Sequence, residues 1–274
     1  MNESMLAYVA GFFDAEGSVG VYKRAGYFAL HASIGQQPPC PVLYTIQDCF
    51  GGSIYNGKGG VEIWGIGDNK ALAFLEAIQP FLCLPRKVAQ VEIAIQFQIR
   101  KIAANCQSSS ISPSELKYRE DIYWTLRELK RKSLSVVSIT DEQASLDYIA
   151  GFFDGDGTTG IYRMRKYYVL KVQIVQKEPC PLLDNLCKRY GGSLHKMRQN
   201  IIKWNIGSNQ ALHFLQSVGS CLRLPQKVAE AKLAIQFQSY RLRRAGHFSQ
   251  SEPLSQNDRD YYVAMAAKMK ACKA

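Results

Sequence analysis

From Leu6 to Phe13 the chain is apolar on every face, which predicts a buried helix. Ala10 and Gly11 leave one side of it bare enough for a second helix to approach closely, and Gly17 suits the left-handed position that ends a helix. The period then changes to two. Val19, Val21 and Lys23 share one parity and Gly20, Tyr22 and Arg24 the other, and Phe28, Leu30, Ala32 and Ile34 alternate with Tyr27, Ala29, His31 and Ser33. Such alternation marks strands with one buried face. Pro41 to Phe50 reads as a helix. Ser53 to Tyr55 and Val61 to Ile66 read as a hairpin across residues 57–60, and Lys70 to Ile78 and Arg86 to Arg100 as helices.

The same series returns 140 residues later. Leu6 to Gly17 falls on Leu146 to Gly157, Pro39-Cys40-Pro41 on Pro179-Cys180-Pro181, Gly51-Gly52-Ser53 on Gly191-Gly192-Ser193, Trp64 on Trp204, and Lys87-Val88-Ala89 on Lys227-Val228-Ala229. No gap is needed through Gln98, and about forty paired positions are identical, so the chain is a duplicated domain. Each copy reads as α-β-β-α-β-β-α, an α+β unit with an antiparallel sheet, and two like units suit an approximate twofold relation. Glu115 to Lys132 is a basic helical stretch matched late in the chain by Asp258 to Lys270, with Arg119 falling on Arg259. The expected division is 1–132 for the first domain, 133–143 for the linker and 144–274 for the second, with residues 249–257 a loop.

Composition narrows the class. A net charge of +11 favours a polyanionic partner, most often nucleic acid, over a chain that is merely basic. The eight cysteines include no CxxC pair, so buried reduced thiols are expected rather than a zinc site or disulfide framework. The four histidines form no ligand-spaced pair. No apolar run has transmembrane length and no signal peptide is legible, which leads to the expectation of a soluble, reducing, intracellular protein without a membrane partner.

The acids carry the chemistry. Asp14 and Glu16 recur as Asp154 and Asp156. Residues two apart on a helix do not share a face, so one of each pair is expected to point at the axis. Carboxylates at helix C-termini oppose the macrodipole, and two such ends together would repel. A divalent cation relieves both problems, and oxygen ligands at an open site suit Mg²⁺; solvated turn acids are the other reading. Lys87 and Lys227 stand at helix starts, where lysine is electrostatically disfavoured. They could stabilise transition-state charge, anchor phosphate or simply lie on the surface. Gln36 and Gln176 end the second strand of each copy and could orient a water or be turn-adjacent polar residues. The open strand faces offer Tyr22, Arg24, Tyr27, His31, Ser33 and Tyr55 in one copy, and Tyr162, Tyr167, Lys171, Gln173, His195, Lys203 and Asn205 in the other. With few acids among them, these faces suit reading DNA base edges better than mere solvation.

Val9 to Gly17 and Ile149 to Gly157 resemble the two signature motifs of the LAGLIDADG homing endonucleases in their single-chain, double-motif form, and the likeness covers about residues 6–98 and 146–238. The resemblance implies a saddle of two αββαββα units with the motif helices at the interface and the sheets in the DNA major groove. It implies a monomer that hydrolyses both strands of a long, asymmetric DNA site with Mg²⁺ and leaves 3′ overhangs, with Mn²⁺ or Ca²⁺ able to substitute for binding. Glu16 and Asp156 are then the metal ligands, joined by the carbonyls of Ala15 and Gly155, and Asp14 and Asp154 are structural. Lys87 and Lys227 match the basic catalytic residue, and Gln36 and Gln176 the water-positioning one. Where some relatives place a further arginine this chain has Pro-Cys-Pro. The resemblance also implies organelle encoding and leaves two alternatives: a maturase acting on host intron RNA, or a non-cleaving DNA-binding regulator.

Overall fold

The structure is a computed structural model that describes all residues except 25–26, 108–110, 131–137, 165–166, 246–254 and 274. Residues 133–137 of the expected linker and 249–254 of the expected loop lie outside the described residues. The chain forms two compact units, Met1–Gly155 and Asp156–Ala274.

The first unit runs α1 (Glu3–Glu16), β1 (Gly17–Arg24), β2 (Tyr27–Gln36), α2 (Pro41–Phe50), β3 (Ser53–Asn56), β4 (Glu62–Gly67), α3 (Asp68–Ile78), α4 (Pro85–Gln107) and α5 (Pro113–Leu129). It then takes in most of α6 (Leu146–Asp156), the second motif helix. The second unit repeats the plan with β5 (Gly157–Met164), β6 (Tyr167–Lys177), α7 (Pro181–Tyr190), β7 (Ser193–Met197), β8 (Ile201–Gly207), α8 (Ser208–Val218), α9 (Pro225–Ala245) and α10 (Gln256–Ala271). Each sheet is antiparallel and four-stranded, in the orders β1-β2-β4-β3 and β5-β6-β8-β7. The fold is α+β, as the alternation of periods indicates.

The cores follow from the parity of the strands. Val19, Phe28, Leu30, Ala32, Ile34, Trp64 and Ile66 are buried on one face of the first sheet, where Trp64 and Phe74 pack edge-on at 4.8 Å and Phe13 and Phe74 at 5.6 Å. Trp204 and Phe214 repeat the contact at 5.2 Å in the second unit. Each tryptophan also donates to a carbonyl just past a helix end, Trp64 to Gly51 at 2.9 Å and Trp204 to Gly191 at 3.0 Å. That turn needs two positive φ angles, 77° and 90° at Gly51 and Gly52, which explains the repeated Gly-Gly-Ser.

Three details depart from the sequence reading. Gly17 does not take the left-handed conformation; its φ of −75° and ψ of 153° lead directly into β1. Glycine is needed there for space, because a Cβ would lie 2.2 Å from the Phe13 ring. Arg119 and Arg259 are not structural equivalents: Arg119 is buried and paired with Glu115 at 2.8 Å, whereas Arg259 is exposed. On α10 the buried charge is Asp258, held by Arg244 at 2.9 Å. Of the seven cysteines whose side chains are described, Cys40, Cys83 and Cys180 are buried and the others at least partly exposed. Among the described residues no helix is long and apolar enough to cross a membrane.

Candidate active site and nucleic-acid interface

Inside the first unit the two motif helices, α1 and α6, pack backbone to backbone. A Cβ at Gly11 would lie 2.0 Å from the Tyr148 carbonyl oxygen, and one at Gly151 would lie 2.0 Å from that of Tyr8. The approach continues to the helix ends, where a Cβ at Gly155 would lie 2.5 Å from the Cβ of Ala15 and 3.1 Å from Cγ of Glu16. The structure thus brings together Ala15, Glu16 and Gly155.

The first acid of each motif is a fastener. Tyr148 Oη donates to Asp14 Oδ2 at 2.6 Å and Tyr8 Oη to Asp154 Oδ2 at 2.5 Å. Asp14 Oδ2 also accepts from the backbone N–H groups of Cys83 and Leu84, at 2.9 and 3.1 Å. Burial pushes its carboxyl up to about 6, against the opposing pull of Tyr148, Lys87 and the two backbone donors. These bonds pin the loop that starts α4, and α4 carries Lys87. Both tyrosines lie in runs read as purely apolar. A hydroxyl at the same place in two buried helices requires a partner, and that requirement was the available signal.

The second acid of each motif lies at a partly exposed helix end. Lys87 is buried and its ammonium donates to the carbonyl of Gly17, the residue that follows Glu16, while lying 5.1 Å over the Phe13 ring. Lys227 donates in the same way to the carbonyl of Gly157, the residue that follows Asp156. Each lysine therefore bonds the backbone carbonyl of the residue next in sequence to its motif's last acid. Also in the second unit, Gln176 Nε2 donates to Asp156 Oδ2 at 2.6 Å. Gln36 Oε1 accepts from the Gln37 backbone N–H at 2.8 Å.

The strand register places the named sheet residues on the faces opposite the cores. The register pairs Gly20 with His31, Tyr22 with Ala29, Arg24 with Tyr27 and Tyr55 with Ile63, and Ser33 with Gly65. All six residues named for this copy thus share one face. In the second sheet Lys171 pairs with Gly160, Gln173 with Asn205, His195 with Lys203 and Tyr167 with Met164, which puts its seven named residues on one face with Tyr162. None of these paired face positions is a carboxylate. Tyr22 and Tyr167 are 61% and 64% exposed, large apolar surfaces that a closed core would not leave open. The Tyr22 and His31 rings meet edge-on at 4.9 Å, and partial burial pulls the His31 imidazole below its ordinary pKa. Ser18, Thr158, Met164, Ser193 and Met197 share these faces through the register and were not named, because each stands where its strand meets a turn or helix.

No protein-family model and no curated protein matches the chain by sequence. Solved structures do. The LAGLIDADG homing endonuclease I-GzeII in complex with its DNA target superposes with a TM-score of 0.77 over 98% of this chain and 99% of that one, at 15% identity. I-SmaMI bound to uncleaved DNA in the presence of calcium ions gives 0.76 over the same shares, at 15% identity. I-AabMI bound to uncleaved DNA gives 0.71, again over 98% and 99%, at 14% identity. The chain has the LAGLIDADG homing endonuclease fold. In that fold's terms, α1 and α6 are the motif helices, and β1–β4 and β5–β8 are the two sheets. Among the described residues no three His, Cys, Asp or Glu side chains cluster tightly enough to hold a metal by themselves. A cation at Glu16 or Asp156 would complete its shell from backbone carbonyls, water and substrate phosphate, a hard-oxygen set that fits Mg²⁺.

Proposed function

We propose that this chain is a site-specific DNA endonuclease that acts as a single chain, cuts both strands of a long asymmetric duplex target and leaves 3′ overhangs. The repeats 1–132 and 144–274 each engage one half of that target. The observation that carries the reading is the repeated bond from Lys87 and Lys227 to the carbonyl after each motif's last acid, on a chain whose open sheet faces hold no carboxylate. The DNA complexes of I-GzeII, I-SmaMI and I-AabMI support it through the shared fold.

Glu16 and Asp156 serve as carboxylate ligands, with the carbonyls of Ala15 and Gly155 completing the protein's oxygen donors. The chemistry supplied by a bound divalent cation is polarisation of the scissile phosphate and activation of water. The chain's own residues do the rest. Asp14 and Asp154 lock the motif helices and the loop before α4. Lys87 and Lys227 place fixed positive charge where the pentacovalent phosphate gains negative charge. Gln176 orients Asp156 through its amide nitrogen, and Gln36 and Gln176, whose side-chain oxygens each accept from the next residue's backbone N–H, hold water through the amide N–H groups that remain. Aromatic, amide and basic side chains on the sheet faces contact bases and backbone.

The test is Asp156→Asn with Glu16→Gln on a target obtained by selection. Each substitution keeps the side chain's size and removes its charge. Loss of double-strand cleavage with gel-shift affinity retained is the expected result; normal cleavage by either variant would remove the assigned role.

A further inference from the structure

A groove of about 400 Å³ runs between β1 and α5 in the first unit. We propose that it is a second phosphate subsite, made by Arg127 and Lys130, that grips the DNA backbone beside the first repeat's active site; this rests on the endonuclease reading above. Arg127 is set on aromatic side chains. Its guanidinium donates to Tyr123 Oη at 2.5 Å and lies 5.3 Å over the Tyr123 ring and 5.7 Å over that of Trp124. Lys130 Nζ lies 3.3 Å from Ser18 Oγ, and Ser18 is two residues past Glu16. Among the described residues neither Arg127 nor Lys130 has a carboxylate within ion-pair distance, while nearby Lys23 is already paired with Glu120. Two cations held side by side without a counter-ion, one of them a planar fork on rings, make a site for a phosphate oxygen pair.

The duplication supplies the control. Aligned on their capping serines, Ser112 and Ser255, and on the buried acids Glu115 and Asp258, the positions on α10 that match Tyr123, Trp124, Arg127 and Lys130 are Ala266, Ala267, Lys270 and Lys273, so both cations recur and the rings do not. The fold therefore builds this helix without the aromatic-arginine stack, and the stack in the first unit answers to something other than folding. The two repeats thus share the pair of cations and differ in the rings that set the first repeat's guanidinium.

The experiment uses the full chain and two probes, the selected target duplex and a duplex of random sequence. The salt dependence of affinity is measured for the wild type, Arg127→Ala, Lys130→Ala and the double variant. Each phosphate contact contributes about 0.9 to the slope of log K against log salt. The double variant is expected to flatten the slope by about one to two on both probes, to weaken low-salt binding at least tenfold, and to lose phosphate-ethylation interference only in the first repeat's half-site. Both side chains are exposed, so folding is expected to be unaffected, and circular dichroism checks it. An unchanged slope with normal cleavage overturns the subsite and leaves the endonuclease reading intact. A wild type that binds neither probe overturns both.

Discussion

Tyr148 Oη donates to the buried carboxylate of Asp14 at 2.6 Å, and Tyr8 returns the bond to Asp154 at 2.5 Å. The two bonds cross the seam of the motif helices and hold each acid by the opposite helix. Tyr148→Phe removes one donor to a buried, charged acceptor while keeping the ring. It is expected to lower unfolding free energy by about 1.5–3 kcal/mol, measured by urea titration. A loss under about 0.5 kcal/mol, the range of ordinary surface changes, would show that Asp14 finds another donor.

Gly11→Ala tests the seam itself. A Cβ there meets a carbonyl oxygen at 2.0 Å, and the obstacle is backbone rather than a movable side chain. The cost is expected at or above the upper end of the about 1–3 kcal/mol typical of overpacking, and the same holds for Gly151→Ala. A neutral effect for either, read by thermal unfolding, would contradict the close packing of the two motif helices.

Asp258 links stability to pH in the second unit. Hydrogen bonds from Arg244 and Ser255, against the cost of burial, and a further bond from Tyr240, hold its carboxyl far below the usual carboxylate range. A depressed folded pKa contributes stability above the unfolded value of 3.8 and loses it as pH falls through the folded value. Asp258→Asn is therefore expected to cost about 1.5–3 kcal/mol at pH 7, with the gap to wild type closing as pH drops below about 4. A gap independent of pH would mean that the lost contribution is not electrostatic.

Lys87 and Lys227 occupy equivalent places but serve different repeats. Lys87→Met and Lys227→Met are each expected to slow one strand's cleavage by about 10²–10³-fold and to spare binding, with opposite strands affected. Strand-resolved kinetics on a labelled duplex decides it. Equal slowing of both strands by either variant would contradict the assignment of one lysine to each cut.

Much of this was legible in the sequence because duplication doubles every signal. The strand parity put the thirteen named residues on the two open faces but passed over Ser18, Thr158, Met164, Ser193 and Met197, since alternation decides which side a strand residue takes only once the strand's ends are known. What the pattern could not show depends on tertiary neighbours. Gly17 looked like a helix-ending glycine, but its constraint is the Phe13 ring folded over it. Tyr8 and Tyr148 looked apolar, because only the packed helix pair reveals what their hydroxyls reach. The burial difference between Arg119 and Arg259 was likewise invisible at equal spacing.

The central claim is sequence-specific, metal-dependent cutting of duplex DNA, and the direct measurement is a cleavage selection from a randomised duplex library. The purified full chain is incubated with Mg²⁺ or with a chelator, and the ends produced on both strands are sequenced. One long asymmetric motif is expected to be enriched among the cut molecules, with paired, 3′-overhanging breaks in Mg²⁺ and none in chelator. Breaks scattered without a shared motif, an equal yield in chelator, or no cutting in Mg²⁺ would contradict it.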